Sequence, residues 1–252
     1  MKATITKETL NKLYRVVKVS EKIMYFERNV RLSAFYDIFG HETFRHGTTL
    51  PDIDDDFRIP INNLPLFISM IETVMGKSNS VEIEYDVTER DFGLDKKKLY
   101  TVDIINGNQH IRFYSAESEE FETITPKDLA DKSKISKLPE SHIRFNLNSE
   151  NLKIMDKNCK ILNADTLMFK NEENDVVCRI YNSSIPDTPV TEIRLEVTSF
   201  NMPVDFPLSV YMFNVIDKNL DYDVVINCER GAILFANESE GTFYISAKKN
   251  TN

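Results

Sequence analysis

Glycine is scarce in this chain, and its scarcity limits the kinds of site that the chain can build. There are 7 glycines among 252 residues, and neither a P-loop nor a G-x-G-x-x-G motif occurs. Both motifs need glycine so that the backbone can approach phosphate groups closely. The sequence therefore argues against a nucleotide site of the glycine-rich-loop kind.

Cysteine is scarcer still, and its 3 copies are far apart. Cys159, Cys178 and Cys228 form no C-x-x-C pair and no even-numbered framework. Metal-binding and disulfide-rich proteins use such spacings. We interpret the three as reduced core thiols of an intracellular protein.

Long hydrophobic runs are missing as well. No run reaches membrane-spanning length, and the first residues lack the apolar stretch of a signal peptide. Acidic residues outnumber basic ones by 40 to 31, for a net charge of −9, so attachment to an anionic membrane is not expected. We expect a cytoplasmic protein, although a nucleic-acid partner stays possible because phosphate contacts are local.

Against this acidic background, Asn148–Leu162 concentrates positive charge. Read as a helix at about 100° per residue, with Asn148 or Ser149 as N-cap, it separates apolar from basic side chains. The apolar side holds Leu152, Met155, Cys159 and Leu162, and the opposite side holds Lys153, Lys157 and Lys160. A helix side with aligned lysines is usually only solvated surface. In a protein with a net charge of −9 such a concentration of positive charge calls for a functional explanation.

A second helix with a basic side is predicted near the start of the chain, from a Thr6 cap to about Lys18. Its apolar positions follow the i, i+3, i+4, i+7 spacing of an amphipathic helix. They are Leu10, Leu13, Tyr14 and Val17, with Lys7, Arg15 and Lys18 opposite and Lys12 on the flank. The recurrence suggests that both helices serve one purpose.

The rest of the chain reads as two similar α+β halves. Strand patterns and a helix over about 63–75 fill residues 1–116, a polar segment covers 117–138, and a second set of elements fills 139–252. Four stretches recur in the same order: Leu10-x-x-Leu13 with Leu152-x-x-Met155, Asp56-Phe57 with Asp205-Phe206, Val81-x-Ile83 with Val224-x-Ile226, and Ser115-Ala116 with Ser246-Ala247. We interpret this as a duplication; two unrelated α+β halves are the alternative.

A resemblance to a known family rests on five stretches of the sequence. In the first half they are ITKETLNKLYRVVKV and DFRIPINNLPLFISMIETV. In the second half they are NSENLKIMDKNCKIL, DFPLSVYMFNVIDKN and GTFYISAK. In this order the chain resembles a sliding clamp, the ring-shaped DNA polymerase processivity factor. The resemblance is closest to the trimeric two-domain clamps of T-even-type bacteriophages and more distant to PCNA. It implies a duplicated clamp fold, with antiparallel sheets and two helices on one face of each domain.

The resemblance implies a homotrimeric ring around duplex DNA, without catalysis, cofactor or metal. It also implies a phage-encoded protein in an infected bacterial host, a polymerase C-terminal peptide and an ATP-dependent clamp loader as partners, and no membrane partner. The residues that would face DNA, independently of sequence, are Lys7, Lys12, Arg15, Lys18, Lys153, Lys157 and Lys160.

Two further sites are implied by the same resemblance. Subunits would pair edge strands through Ile111 and Phe113 on one side and Ile193 and Leu195 on the other. The partner peptide would bind a pocket that includes Val30, Leu129, Ala232 and Ala247.

Three other functions are compatible with the sequence. His41, His46 and the aspartates at 52 and 54–56 resemble ligands of a divalent ion in a nuclease, although their spacing matches no metal motif. A monomeric processivity factor, or another DNA-associated protein without a ring, would share the duplicated fold. A structural β-protein of a virion is the last alternative.

Overall fold

The computed structural model describes residues 2–17, 32–38, 42–48, 59–91, 96–116, 142–172, 175–200 and 205–249, with backbone alone for 16, 32–38, 42–48, 90–91, 96–97, 116, 200 and 247. The chain divides into two compact units, Met1–Tyr36 with His46–Ala130, and Asp37–Arg45 with Asp131–Asn252. The polar segment 117–138 lies outside the described residues, so the domain limits at 116 and 139 stay a prediction.

The first half of the chain forms six strands and two helices. They are β1 (Lys2–Thr6), α1 (Lys7–Val17), β2 (Leu32–Ile38), β3 (Glu42–Thr48), α2 (Leu64–Met75), β4 (Ser80–Asp91), β5 (Lys96–Asn106) and β6 (Gln109–Ala116). An antiparallel sheet has the order β1-β4-β5-β6, and β2 pairs with β3.

Capping side chains begin both helices of the first half, and a glycine ends α2. Thr6 Oγ1 accepts a hydrogen bond from the Thr9 amide (3.2 Å), and Asn63 Oδ1 accepts one from the Leu66 amide (3.0 Å). These side chains satisfy amides that have no partner inside the helix. Gly76 ends α2 at a φ of 52°, a conformation that glycine adopts without strain.

The second half forms eight strands and two helices. They are β7 (His142–Leu147), α3 (Ser149–Ile161), β8 (Thr166–Glu172), β9 (Asp175–Tyr181), β10 (Thr191–Phe200), β11 (Asp205–Ser209), α4 (Val210–Val215), β12 (Tyr222–Asn227), β13 (Ala232–Asn237) and β14 (Thr242–Ala247). The strands lie in the order β11-β8-β9-β10-β7-β12-β13-β14, and the seven neighbouring pairs are antiparallel.

Each unit has its own core, with a helix packed on one face of its sheet. In the first unit, Phe67 of α2 lies against Phe113 of β6, with ring centroids 5.2 Å apart. In the second, Phe145 of β7 lies 5.7 Å from Phe169 of β8. These rings are almost entirely buried, and aromatic contacts of this kind add to the free energy of burial.

The predicted duplication is present in the strand register. After its second helix, each half returns a strand to pair antiparallel with the first strand of that half. Val81 and Ile83 of β4 pair with Ile5 and Ala3 of β1. Val224 and Ile226 of β12 pair with Phe145 and Ile143 of β7. The α+β class and the repeated unit are confirmed.

Some local predictions differ from the structure. The sequence pattern predicts no strand at residues 2–6, where Ala3 is a weak strand former and Ile5 stands alone as a large apolar residue. It predicts that the helix after β11 runs to about Lys218, but α4 ends at Val215, where Lys218 Nζ donates to the carbonyls of Phe213 and Ile216 and so caps the helix. The alternation of apolar residues over 56–61 predicts a strand, of which the described residues contain a bridge at Ile61.

Asp165 joins the start of β8 to the loop after β9 and to the end of the chain. Its carboxylate accepts from the Ser183 amide (2.7 Å) and hydroxyl (2.7 Å) and from Thr166 Oγ1 (2.8 Å), and Lys249 Nζ lies 3.4 Å away. Burial by itself would raise the pKa of Asp165, but these donors and the Lys249 charge outweigh it and lower the pKa to about 2.

This carboxylate is expected to stabilise the second unit at neutral pH. Its pKa is about 2 in the folded chain against 3.8 ordinarily, so the stabilisation is complete above about pH 4 and is lost as the pH falls towards 2. After allowance for solvent screening, Asp165→Asn should lower the free energy of unfolding by about 1 kcal/mol. Urea unfolding across that pH range, with the exposed Asp187→Asn as control, measures it. A deficit that persists unchanged at pH 2 would contradict the assignment.

Candidate nucleic-acid interface

Helix α3 places its lysines away from the core, as the sequence predicted. Leu152, Met155 and Cys159 are buried, and the Asn148 side chain caps the helix by accepting from the Asn151 amide at 2.8 Å. The cations on the other side are all exposed. We call this set the lysine face; it consists of Lys153, Lys157 and Lys160.

The three lysines differ in how they are paired. Lys160 Nζ lies 2.6 Å from Asp156 Oδ2, one turn back on the same helix. Lys153 and Lys157 form no ion pair or hydrogen bond with any residue that the structure describes. They lie four residues apart, which is about 6 Å along the helix axis. Among the described residues, two ammonium groups without an ion pair therefore lie side by side on the helix surface.

Two exposed isoleucines lie among these lysines, and the sequence analysis missed them. Ile154 is 43% exposed and Ile161 is 67% exposed. A cleft of about 360 Å³ is lined by Ser149, Glu150, Lys153, Ile154 and Lys157. Ile154 and Ile161 are seven residues apart and lie outside the apolar stripe of Leu152 and Met155. This i, i+7 spacing is the signal in the sequence that indicates a second, exposed apolar patch on the helix.

Helix α1 uses its cations differently. Lys12 is only 6% exposed, and its Nζ lies 3.5 Å from Glu8 Oε1. Arg15 is half-buried, and Lys7 is exposed with its Nζ 3.3 Å from Asn79 Oδ1. Lys12 thus departs from the exposed position expected of it, because a flank position is covered when neighbouring elements pack over the edge of the apolar stripe. Lys18 lies outside the described residues.

The other two helices present no cation. The exposed side of α2 carries Glu72, whose carboxylate accepts a hydrogen bond from the Tyr14 hydroxyl of α1. That hydrogen bond, with burial and the Glu72 charge, raises the pKa of Tyr14 to about 12. Helix α4 contains no charged residue. Exposed positive charge on the helices is therefore concentrated on α3.

Because Lys12 is buried, its replacement should affect folding before it affects binding. We expect Lys12→Ala to lower the free energy of unfolding by about 1–2 kcal/mol, since the aliphatic stem and the Glu8 contact are both lost. Lys153→Ala, on the exposed face, should stay within about 0.5 kcal/mol of the unaltered protein. Urea unfolding of both variants tests this. Equal stability of the two would mean that Lys12 contributes nothing to the packing.

Strand β6 is the last strand of its sheet and pairs with β5 alone among the described strands. Of its two predicted interface residues, Phe113 is buried against Phe67 and Ile111 is half-buried. On the opposite face of β6, Arg112 makes a two-pronged contact with Asp103 of β5, at 2.7 and 3.1 Å. The strand therefore combines a packed inner face with one backbone edge that has no partner strand in the described residues.

Strand β10 offers a comparable edge over the first part of its length. Residues Thr191–Glu196 pair with β9, whereas pairing with β7 begins only at Val197. Leu195 is buried and Ile193 is half-buried, as on β6. The second edge of this segment has no partner strand among the described residues. Unpaired edges of this kind are sites where another chain can add a strand.

Of the predicted partner pocket, the structure describes Ala232 and the backbone of Ala247. Ala232 begins β13, is half-buried and pairs with Ala247 at the end of β14. Val30 and Leu129 lie outside the described residues. The two alanines are adjacent, and whether they join the others in one pocket stays a prediction.

The described part of the chain contains no candidate metal centre. Within it, no three His, Cys, Asp or Glu side chains are grouped closely enough to hold a metal ion. The side chains of His41, His46 and the aspartates at 52 and 54–56 lie outside it. Cys159 and Cys178 are buried free thiols, and burial raises the pKa of each, which suits inert core residues. None of the helices described is both long and apolar enough to span a bilayer.

The fold is shared with several solved structures, although the sequence matches no protein-family model and no curated protein. The Proliferating Cellular Nuclear Antigen of Entamoeba histolytica matches with a TM-score of 0.61 and 13% identity, over 99% of this chain and 98% of that one. The PCNA2-PCNA3 complex of Sulfolobus tokodaii matches with a TM-score of 0.62 and 11% identity, over 98% of each chain. The DNA polymerase III beta subunit of Thermotoga maritima matches with 0.61 and 12%, over all of this chain but 65% of its own length. At these identities the likeness shows the fold alone.

Proposed function

We propose that this chain, which has the sliding-clamp fold, is a DNA sliding clamp that encircles duplex DNA and tethers the replicative DNA polymerase to it. The observation that carries the proposal is the lysine face of α3, three exposed cations in a chain whose net charge is −9. Lysine ammonium groups contact phosphates without reading bases. Such contacts hold a duplex independently of its sequence.

The proposed assembly is a homotrimeric ring. Each chain supplies two similar units, so three chains supply six. Among the described strands, β6 and the first part of β10 each have one edge without a partner. Pairing of β6 with β10 of the next copy is a head-to-tail contact, which closes into a ring when the rotation between copies permits. The complex of two related chains from Sulfolobus tokodaii supports association between chains of this fold.

The remaining parts of the proposal depend on the sequence resemblance. We assign to the clamp a polymerase C-terminal peptide and an ATP-dependent loader as partners, and a phage-encoded origin. The proposed clamp has no catalytic activity of its own. Metal-dependent cleavage of DNA by the purified protein, abolished by alanine at His41 and Asp54, would instead support the nuclease alternative.

Topological retention on DNA tests the ring directly. Subunits are diluted to dissociate them, concentrated in the presence of nicked circular DNA, and passed over a sizing column at high salt. A ring should elute with the circle and be released when a restriction enzyme linearises it. Sedimentation equilibrium without DNA should give a mass near 3 × 29.2 = 87.6 kDa.

Other outcomes would separate the alternatives. A 29.2 kDa particle that binds circular and linear DNA equally, and leaves both at high salt, would favour the monomeric processivity factor. Failure to bind either form of DNA would exclude both the sliding clamp and the monomeric processivity factor.

A further inference from the structure

We infer that one of the two repeated units in each chain, the second, contacts duplex DNA through α3. The cations of α1 instead make contacts within the first unit. The inference rests on the proposed function and refines it. The duplicated fold by itself would suggest equal contact by both leading helices, and the sequence assigned cations to both. The structure distinguishes them.

The cations on α3 are exposed. Lys153 and Lys157 lie about one turn apart and form no ion pair with any described residue, and the Glu150 carboxylate lines the same cleft. Each is available to a phosphate without first breaking an ion pair. Lys160 is 74% exposed, but it has the Asp156 carboxylate at 2.6 Å, so its charge is partly compensated. We therefore assign two phosphate contacts to each α3.

The cations on α1 are less accessible than those on α3. Lys12 is buried beside Glu8 and Arg15 is half-buried. Freeing Lys12 would require the packing around its stem to open. The Glu72 carboxylate, hydrogen-bonded to Tyr14 on the exposed side of α1, adds a negative charge that repels phosphates. Of the described cations on α1, Lys7 alone is exposed, and it lies at the first residue of the helix.

The exposed isoleucines give the α3 contact a further property. Ile154 lies in the cleft with Lys153 and Lys157, and its side chain neither donates nor accepts hydrogen bonds. Ammonium groups on flexible stems beside an apolar surface impose little directional preference on phosphates. A duplex can therefore shift along α3 without breaking a fixed set of directed hydrogen bonds.

The salt dependence of DNA binding tests the inference with two matched double variants. Lys153→Ala with Lys157→Ala removes two exposed cations from the second unit. Lys7→Ala with Lys77→Ala removes two exposed cations from the first, one on α1 and one in the turn after α2. Binding of a labelled duplex is measured by fluorescence anisotropy over a range of low salt concentrations, after sedimentation and circular dichroism have shown that both variants match the unaltered protein.

Each phosphate contact contributes about 0.9 to the slope of log K against log salt. With two contacts removed, we expect the slope of the α3 variant to be shallower by about 1.8 for each α3 that contacts the duplex. The slope of the first-unit variant should equal that of the unaltered protein. In the unaltered protein, DNA should protect Lys153 and Lys157 from acetylation and leave Lys7 reactive. Protection read by mass spectrometry does not depend on any variant.

The possible failures are distinguishable. Equal loss of slope in both variants, or protection of Lys7 as strong as that of Lys153, would overturn the one-unit contact and leave the clamp function standing. Binding that neither variant alters would overturn the assignment to α3. A protein that shows no salt-dependent binding to duplex DNA would remove the proposed function together with the inference.

Discussion

Changing Lys153, Lys157 and Lys160 to glutamate is expected to leave the protein folded and assembled but unable to stay on duplex DNA. The three side chains point away from the buried Leu152 and Met155. Exposed substitutions usually change the free energy of unfolding by less than about 0.5 kcal/mol. Loss of the Lys160–Asp156 pair adds a few tenths. The fold should therefore survive the change.

The electrostatic effect is much larger. Each Lys→Glu change alters the charge by −2, so the triple variant differs by −6 per chain and by 3 × −6 = −18 in a trimer. Phosphates that were attracted are then repelled at every α3, most strongly at low salt, where screening is weakest. Retention on nicked circular DNA, measured on a sizing column, should fall to background.

A second triple variant provides the control for net charge. Lys77, Lys98 and Lys248 are exposed and lie on none of the four helices, so their change to glutamate alters the total charge equally. This control should keep most of its DNA retention. Unaltered retention by the α3 variant would reject the lysine face as the DNA contact. Equal loss in the control would trace the effect to net charge instead.

Ile111→Asp on β6 is expected to convert the assembled protein into a 29.2 kDa monomer. Ile111 is half-buried within its own chain and lies on a strand with one edge unpaired among the described strands, so a strand of a neighbouring copy would cover the rest of it. An unpaired carboxylate buried at that contact costs about 3 kcal/mol or more. Since 1.4 kcal/mol is a factor of about ten, the dissociation constant should rise by two orders of magnitude or more.

Head-to-tail pairing makes a sharper test possible with a second variant. Ile193→Asp damages the β10 edge and keeps β6 intact, whereas Ile111→Asp keeps β10 intact. Each variant alone should be monomeric. An equimolar mixture has one undamaged contact and should form a dimer of 2 × 29.2 = 58.4 kDa, which sedimentation equilibrium resolves. Leu66→Asp, at an exposed position on α2, is the control and should remain trimeric. A trimer formed by Ile111→Asp alone would place the contact elsewhere.

The sequence predicted α3 almost completely, and the reason is physical. Its apolar period, its Asn148 cap and its lysine positions all act within four residues of one another, so local rules determine them. The first strand was missed because a five-residue strand has too few positions for a pattern to emerge. Its place in the sheet comes from pairing with β4, some 76 residues later.

The candidate site was predicted less well, because exposure depends on the whole fold. In the sequence, Lys12 lies on the flank of an apolar stripe and Lys153 lies opposite one. Lys12 is 6% exposed and Lys153 is exposed, and how far a flank position is covered depends on what packs against the helix. The exposed Ile154 and Ile161 were missed because a stripe of buried residues was expected to hold the apolar side chains of the helix.

The first strand of each half pairs with a strand far along the chain, and this separation determines when the two strands can pair during synthesis. Ile5 meets Val81, and Phe145 meets Val224, across separations of 76 and 79 residues. Bringing the ends of such a segment together costs about 3.8 kcal/mol of chain entropy, which slows folding relative to local structure. At about 5–20 residues per second of synthesis, β1 waits about 4–15 s for its partner strand. The ribosome thus exposes each nascent half as an open sheet, and each half closes only after its second helix has been made.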